Sequence, residues 1–302
     1  MRRLMEVWRM FKERFSDDGR LKIVKNRRNV GFAPACNRGA MYARGKYFVF
    51  LNNDTEVDRN WIRELVEAME SNSMIVLAQS KLRLMSDRRR IQTVGNVHDY
   101  YCIYQEMVGF GEIDRGQYDK LDMISFASGA AMTVRRSAID ELGLFDPRYP
   151  FYHEDIDLEW RVLLAGYKIV SVPQSIVYHE GEGSINKFGK YLWAYWEAKS
   201  RLSLLIKNYS LRNVVKTVPF LLLVLTGGAF AFAAKRMILI TGATIAGILW
   251  NVTNFKYIWK GRLVVQHLIR KVPDEDVIKR FVKSKLSAIL LHYVRNPVRA
   301  LR

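Results

Sequence analysis

Three short stretches hold the side chains that could do chemistry: Asn52-Asn53-Asp54, His153-Glu154-Asp155-Ile156-Asp157, and His179. A carboxylate at the end of a strand can bind a divalent cation through oxygen, and a bound cation would neutralise a diphosphate and stabilise it as it leaves. Asp54 is the candidate ligand; its alternative role is to cap the turn into the following helix. Tyr152 to Arg161 reads as the first turns of a helix, where neighbouring positions point in different directions, so Glu154 and Asp155 cannot do the same job. One can orient while the other takes a proton from an attacking hydroxyl, and Asp155 is the candidate base. The alternative is that these acids only complement the helix dipole, a contribution of about 0.3 to 1 kcal/mol. Asp157 and Arg161, at i and i+4, are expected to form a structural pair. His179 could complete a cation site that accepts manganese as well as magnesium, or serve as a hydrogen-bonded structural residue.

The elements that position these groups follow from the apolar pattern. Tyr47 to Leu51 is a short apolar run after Gly45 that stops abruptly at Asn52, a buried strand ending in polar residues, which is where ligand sites gather in open α/β sheets. Asp58 then caps a helix carrying Trp61, Leu65 and Met69. From Lys81 to Asp122 the pattern weakens into a region rich in Gly, Asp, Arg and Tyr, expected to be an insertion lining one side of a cleft. Order returns at Ile124 to Val134, where Ser128, Gly129, Ala130 and Ala131 interrupt a strand, either to admit a ligand to the backbone or to let a helix pack closely. His179 follows the apolar run Ser175 to Tyr178, so it too sits at a strand end. Residues 1 to about 205 alternate helices and strands, which predicts an α/β sandwich on a largely parallel sheet.

The charge is lopsided. The chain of 302 residues has a formal net charge of +18, which draws it to anionic surfaces. From Lys256 to Arg302 there are 12 Lys or Arg against three acids, a net of +9, so half the excess lies beside the apolar segments. Nucleic acid is excluded as a partner because no recognition motif accompanies the charge. Val218 to Ala234 and Met237 to Phe255 are apolar and uncharged, separated by Lys235 and Arg236. Each is near the minimum for crossing a bilayer, so a membrane hairpin or a shallow re-entrant pair is expected, with a buried hairpin of a soluble protein as the alternative. Beyond Pro273, Ile278, Phe281, Val282, Leu286, Ile289, Leu290 and Tyr293 recur at helical spacing among basic residues, a basic amphipathic helix that either lies on an anionic leaflet or packs on the catalytic domain. Cys36 and Cys102 lack metal-ligand spacing and fit a reducing, cytoplasmic compartment. Leu4, Trp8, Phe11 and Phe15 fall on one helical face, without the features of a secretory signal.

Taken together and in order, the motifs resemble family 2 glycosyltransferases of the rhamnosyltransferase-like kind, which have a GT-A fold. The resemblance runs from Asn29-Val30-Gly31-Phe32-Ala33 and Asn37-Arg38-Gly39 through Phe50-Leu51-Asn52-Asn53-Asp54 and Ser128-Gly129-Ala130. It continues through Gly143-Leu144-Phe145-Asp146, Tyr152 to Leu158, Arg161, Ala165-Gly166-Tyr167 and His179, covering roughly residues 22 to 210. It implies an α/β GT-A sandwich lacking its first βα unit, since nothing before Lys22 matches the family's opening strand, followed by a C-terminal helical membrane region. The implied division is a glycosyltransferase domain over 1–210, a membrane hairpin over 211–256 and a basic tail over 257–302. By the same resemblance Asn52-Asn53-Asp54 stands at the DxD position, Asn52 replacing the first acid, and Asn37 and Gly129 join it in binding the donor. Glu154-Asp155 stands at the ED position, with Asp155 as base and Glu154 as its orienting neighbour, and Asp54 and His179 hold Mn2+ or Mg2+. The implied activity is inverting transfer of a sugar from a nucleotide-sugar donor to a lipid-linked or cell-surface glycan by a membrane-associated enzyme with a cytoplasmic catalytic domain. The competing expectation is a non-catalytic membrane subunit with a degenerate glycosyltransferase fold that binds a partner enzyme or glycan.

Overall fold

A computed structural model describes residues 9–11, 13–15, 17–103, 105–120, 122–181 and 189–281. Leu4 and Trp8 of the expected N-terminal apolar face, and the tail beyond residue 281, lie outside them.

The chain enters through α1 (Phe32–Ala40) and β1 (Tyr47–Leu51), then turns into β2 (Thr55–Val57), α2 (Trp61–Glu70) and the long β3 (Ile75–Leu84). Short strands come next: β4 (Ile91–Thr93), β5 (Asn96–His98), β6 (Gln105–Met107) and β7 (Asp122–Met123). After them come β8 (Ala131–Arg135), α3 (Arg136–Leu142), α4 (Glu154–Leu164) and β9 (Lys168–His179). The remainder is helical: α5 (Lys190–Asn208), α6 (Leu211–Ala234), α7 (Ile238–Thr253), α8 (Phe255–Val264), a π turn over Val265–Ile269, and α9 (Asp274–Phe281).

The main sheet has the strand order β1-β8-β3-β9-β2, with β4 beside β3 and β7 beside β9. It is mixed rather than largely parallel: among the described residues only β3 and β9 run parallel, and the other pairings are antiparallel. Alternation of helices and strands carries no strand direction, and β8 enters between β1 and β3 in the opposite sense to both. The first eight residues of β3 are buried, as expected of a strand covered on both faces. The 81–122 region is less irregular than expected, because β3 itself runs through Lys81 to Leu84. Lys81 Nζ, buried, reaches Asp114 at 3.0 Å and Asp119 at 2.6 Å and so ties the 114–119 segment to the sheet.

Asp58 does not cap α2. Its Oδ1 accepts from the Asn60 amide at 3.0 Å, one residue before the helix, and no side chain caps that helix. The acid stabilises the preceding turn instead. α4 is the centre of the packing: of its residues only Asp155 is not buried, and Leu158, Val162 and Leu164 join the main core. The expected pair forms there, with Arg161 Nη2 3.1 Å from Asp157 Oδ2. Lys207 Nζ at 3.0 Å and Asn208 Nδ2 at 3.1 Å, both from α5, converge on the same carboxylate.

The second apolar segment differs from expectation. By length and composition α6 is the one helix among the described residues able to cross a bilayer; α7 qualifies only when joined to α8 and the π turn, across a 64° bend. Past that bend the chain returns to the core, where Val265, Ile269 and Val277 are buried and Arg262 donates to the Ile206 and Tyr209 carbonyls at 2.7 and 2.6 Å. Residues 257–281 therefore pack on the sheet domain; most of the amphipathic stretch expected beyond Pro273 lies past residue 281, outside the described residues.

Candidate active site

β1 delivers Asn52 to the carboxyl end of the sheet, where its amide donates to the Ala130 carbonyl at 2.9 Å and its own carbonyl accepts from Thr55 Oγ1 at 2.6 Å. Asn53 is exposed at the tip of the turn. The turn leads into β2, whose first residue Thr55 pairs with His179 at the end of β9. That pairing is what brings Asp54 to His179, with Oδ1 3.3 Å from Nε2.

The chemistry of this pair bears on a cation. His179 Nδ1 lies 2.9 Å from Gln92 Oε1, and since an amide oxygen only accepts, that nitrogen carries the hydrogen in the neutral ring. Burial lowers the pKa of His179, partly offset by Asp54, so the neutral form is favoured and Nε2 turns a lone pair toward the Asp54 carboxylate. Asp54 Oδ1 is buried with no hydrogen-bond partner. Two acceptors facing each other, one of them orphaned, fit a positive ion between or beside them. Among the described residues no group of three or more His, Cys, Asp or Glu could hold a metal, so a bound cation would need oxygen ligands from elsewhere.

The second half of the site is a pinned loop. Three successive amides, Ala127, Ser128 and Gly129, donate to Glu159 Oε1 at 2.7 Å, Gln79 Oε1 at 2.6 Å and Asp155 Oδ2 at 3.2 Å. The next residue, Ala130, is the one that holds Asn52. The loop thus joins the Asn52 turn to Asp155 within two residues. A Cβ placed on Gly129 would sit 3.2 Å from Asp155 Oδ2, so the small residue there serves the carboxylate's approach. Asp155 Oδ1 also accepts from the Ile156 amide at 2.9 Å. Burial raises the pKa of Asp155, opposed by these backbone donors.

Glu154 points elsewhere, as its position one residue away requires. It is buried, its pKa is pushed well up by burial and by the Asp155 charge, and Oε2 has no hydrogen-bond partner. Burial pushes the Cys36 thiol up to about 12, and among the described residues Glu154 is the one acid near enough to add to that shift when ionised, which puts its side chain toward α1. Tyr152 and His153, just before, have φ of 63° and 68°. Left-handed conformations in such residues cost about 1 to 3 kcal/mol each and collect at functional sites. Asn37, expected in the donor site, has a structural role on view: Nδ2 donates to the Phe145 carbonyl at 2.7 Å and Oδ1 accepts from the Phe145 amide at 3.2 Å, so it clamps the loop before α4.

Sequence reasoning missed Gln79, Gln92 and Glu159. Glu159 was within reach of it, being four residues after Asp155 on one helical face; the two glutamines carry no local signal. It also missed Glu197, whose carboxylate stands 3.9 Å from His153 Nδ1 and 2.5 Å from Arg201.

The family described as glycosyl transferase family 2 matches residues 6–143. The matched segment contains Asn52, Asn53, Asp54 and Gly129 and ends before Asp155 and His179. The inactive polypeptide N-acetylgalactosaminyltransferase-like protein 5 of Macaca fascicularis is 26% identical over 168 residues, 53% of this chain and 38% of that protein. The pre-mycofactocin glycosyltransferase of Mycobacterium tuberculosis is 23% identical over 213 residues, 69% of this chain and 40% of that protein. The chain therefore spans about two-fifths of the length of these relatives. Similarity to the N-acetylglucosaminyl-diphospho-decaprenol L-rhamnosyltransferase of M. tuberculosis is local, 45% over 56 residues and 18% of each chain, so the rhamnosyltransferase likeness is partial and distant. Among solved structures, the mannosyltransferase PcManGT from Pyrobaculum calidifontis, in complex with GDP-Man and Mn2+, aligns with a TM-score of 0.46 at 15% identity, over 82% of this chain and 73% of that one.

Proposed function

We propose that the chain carries the centre of an inverting glycosyltransferase that moves a sugar from a nucleotide-sugar donor to a lipid-linked or cell-surface glycan. In this reading residues 1–210 are the transferase domain, with its catalytic face toward the cytoplasm. Residues 211–256 are the membrane attachment and 257–302 a basic tail. The observation that carries the reading is the loop from Ala127 to Ala130, which holds Asp155 at one end and the Asn52 turn at the other.

Asn52, Asn53, Asp54 and Gly129 line the donor's place, and Asp54 and His179 would hold Mn2+ or Mg2+. Such a cation supplies charge neutralisation for the diphosphate. Asp155 accepts the hydroxyl proton of the acceptor as that oxygen bonds to the anomeric carbon from the face opposite the phosphate. The bond from carbon to phosphate oxygen breaks, and the nucleoside diphosphate leaves with the electron pair. Gly129 N–H and Ile156 N–H keep Asp155 aimed and favour its ionised form, while burial raises its proton affinity, which is the balance a base requires. Glu154, uncharged in its buried position, can donate a hydrogen bond where a second carboxylate would only repel.

A panel of UDP-, GDP- and dTDP-sugars with Mn2+ tests the assignment. One donor is expected to be consumed, and Asp54→Ala and His179→Ala should each weaken Mn2+ binding in the presence of the matching nucleoside diphosphate by about tenfold or more, read by calorimetric titration. If no nucleotide binds, the non-catalytic subunit with a degenerate fold becomes the better account. Gly129→Ala is expected to push Asp155 aside and lower kcat by about tenfold or more without moving the melting temperature by more than a few degrees; an unchanged kcat would mean that Gly129 does not set the base.

A further inference from the structure

α7 is seated along α5. A Cβ on Gly247 would come within 2.5 Å of the Tyr195 carbonyl oxygen, so the two backbones touch there. Four residues on, Asn251 donates to the Lys199 carbonyl at 3.1 Å and accepts from Ser203 Oγ at 2.8 Å. The helices therefore run side by side in the same direction. α6 returns against α7, its Ala229 carbonyl accepting from Thr241 Oγ1 at 3.3 Å.

α5 belongs to the sheet domain. Lys199 Nζ donates to the Arg148 carbonyl at 2.6 Å, and Lys207 Nζ bonds Asp146 at 2.8 Å and Asp157 at 3.0 Å. Were α7 to stand upright in a bilayer, Glu197, Lys199 and Arg201 would stand at the same depth with the sheet behind them, and charged groups at that depth are costly. The 16 residues of α7 also reach only about 24 Å at 1.5 Å per residue, short of the roughly 30 Å hydrocarbon core. Both helices expose apolar side chains: Leu211, Val215 and Leu223 on α6, and Ile245, Leu249 and Val252 on α7. No acid occurs from Leu211 to Pro273, whereas Arg212, Lys216, Lys235, Arg236, Lys256 and Lys260 are exposed.

We propose that the α6–α7 hairpin lies in the plane of one anionic phospholipid leaflet and does not cross the bilayer, leaving the Lys235–Arg236 tip on the side of the catalytic sheet. The proposal rests on the membrane attachment put forward under the proposed function and fixes its geometry. Lipid then lies against the outer surface of the hairpin, while α5 on its inner side carries Trp196, whose ring is 4.8 Å from Phe151 beside the site. An acceptor anchored in that leaflet approaches Asp155 from its own side of the membrane. Basic residues beside an apolar in-plane face are the pattern of interfacial anchors.

The test places a thiol at the tip, Lys235→Cys, and a second at Met41→Cys, 82% exposed on the sheet domain, each in a Cys36→Ala background; Cys102 is buried. Inverted and right-side-out vesicles from expressing cells are treated with a membrane-impermeant maleimide, with and without detergent. In whichever preparation labels the Met41→Cys protein, the Lys235→Cys protein is expected to label to within about twofold before detergent. Labelling of Lys235→Cys only in the opposite preparation, or only after detergent, overturns the in-plane hairpin while leaving membrane attachment intact. A protein absent from the washed vesicles overturns the membrane reading and this proposal with it.

Discussion

Asp155→Asn is expected to lower the rate of sugar transfer by about 10²- to 10⁴-fold, the range that a positioned general base contributes, while leaving donor binding nearly unchanged. The amide keeps the size of the carboxylate, and its single oxygen can still accept from either Gly129 N–H or Ile156 N–H, which bond different carboxylate oxygens in the parent, so one of the two anchors is kept while the proton acceptor is lost. The pH profile gives a second readout. Asp155 must be ionised to act, and burial holds its pKa above the ordinary carboxylate value. Activity should therefore fall as pH drops through that raised value, earlier on the acid side than for an ordinary Asp near 3.9, and this limb should vanish in the variant's residual rate. Glu154 titrates with Asp155, so the limb belongs to the pair rather than to one carboxylate. A variant that turns over within a few-fold of the parent would remove Asp155 from the chemistry.

Asp157→Ala is expected to cost about 3 to 5 kcal/mol, the usual penalty for removing one partner from a buried ion network. Asp157 is fully buried and joins three cation or amide donors from two helices, Arg161 on α4 and Lys207 and Asn208 on α5. Without it, Lys207 keeps Asp146 and Arg161 keeps the carbonyls of Leu142, Gly143 and Leu144, but the direct link between α4 and α5 is gone. Thermal unfolding should show a drop on the order of 10 °C, with faster proteolysis after residue 189. Asp157→Asn, which retains acceptor geometry at Oδ1 and removes the charge, should fall between the two. A melting temperature unchanged in Asp157→Ala would show that the helical region is held by its apolar contacts alone.

The network also explains why the C-terminal helices matter to the site. α4 carries Asp155 on its first turn and Asp157 in the same turn, so whatever anchors Asp157 to α5 also fixes the direction of Asp155. The proposed base and the acid that docks the following helix are two residues apart and face opposite ways. His153, strained and buried, stands beside α5 with Nδ1 3.9 Å from Glu197 and no hydrogen bond to it. Burial lowers its pKa to about 3, so it is neutral there and adds no charge beside the base.

Local physics made much of this legible in the sequence. An apolar run that stops at Asn52, an i and i+4 pair at Asp157 and Arg161, and two uncharged segments split by Lys235-Arg236 are each decided by neighbours a few residues apart. Helix geometry alone separates the directions of Glu154 and Asp155, and the two side chains do meet different surroundings in three dimensions. Other facts belonged to the tertiary structure because they depend on which strand lies beside which. The mixed sense of the sheet, the meeting of Asp54 with His179 across β2 and β9, and the recruitment of Gln79, Gln92 and Glu159 join residues that are distant in sequence or unremarkable in type. The same holds for the apolar hairpin: composition makes α6 and α7 apolar, but only the close packing of Gly247 on α5 ties them to the charged body of the domain, and under the proposed membrane attachment this contact would limit how deep they could go.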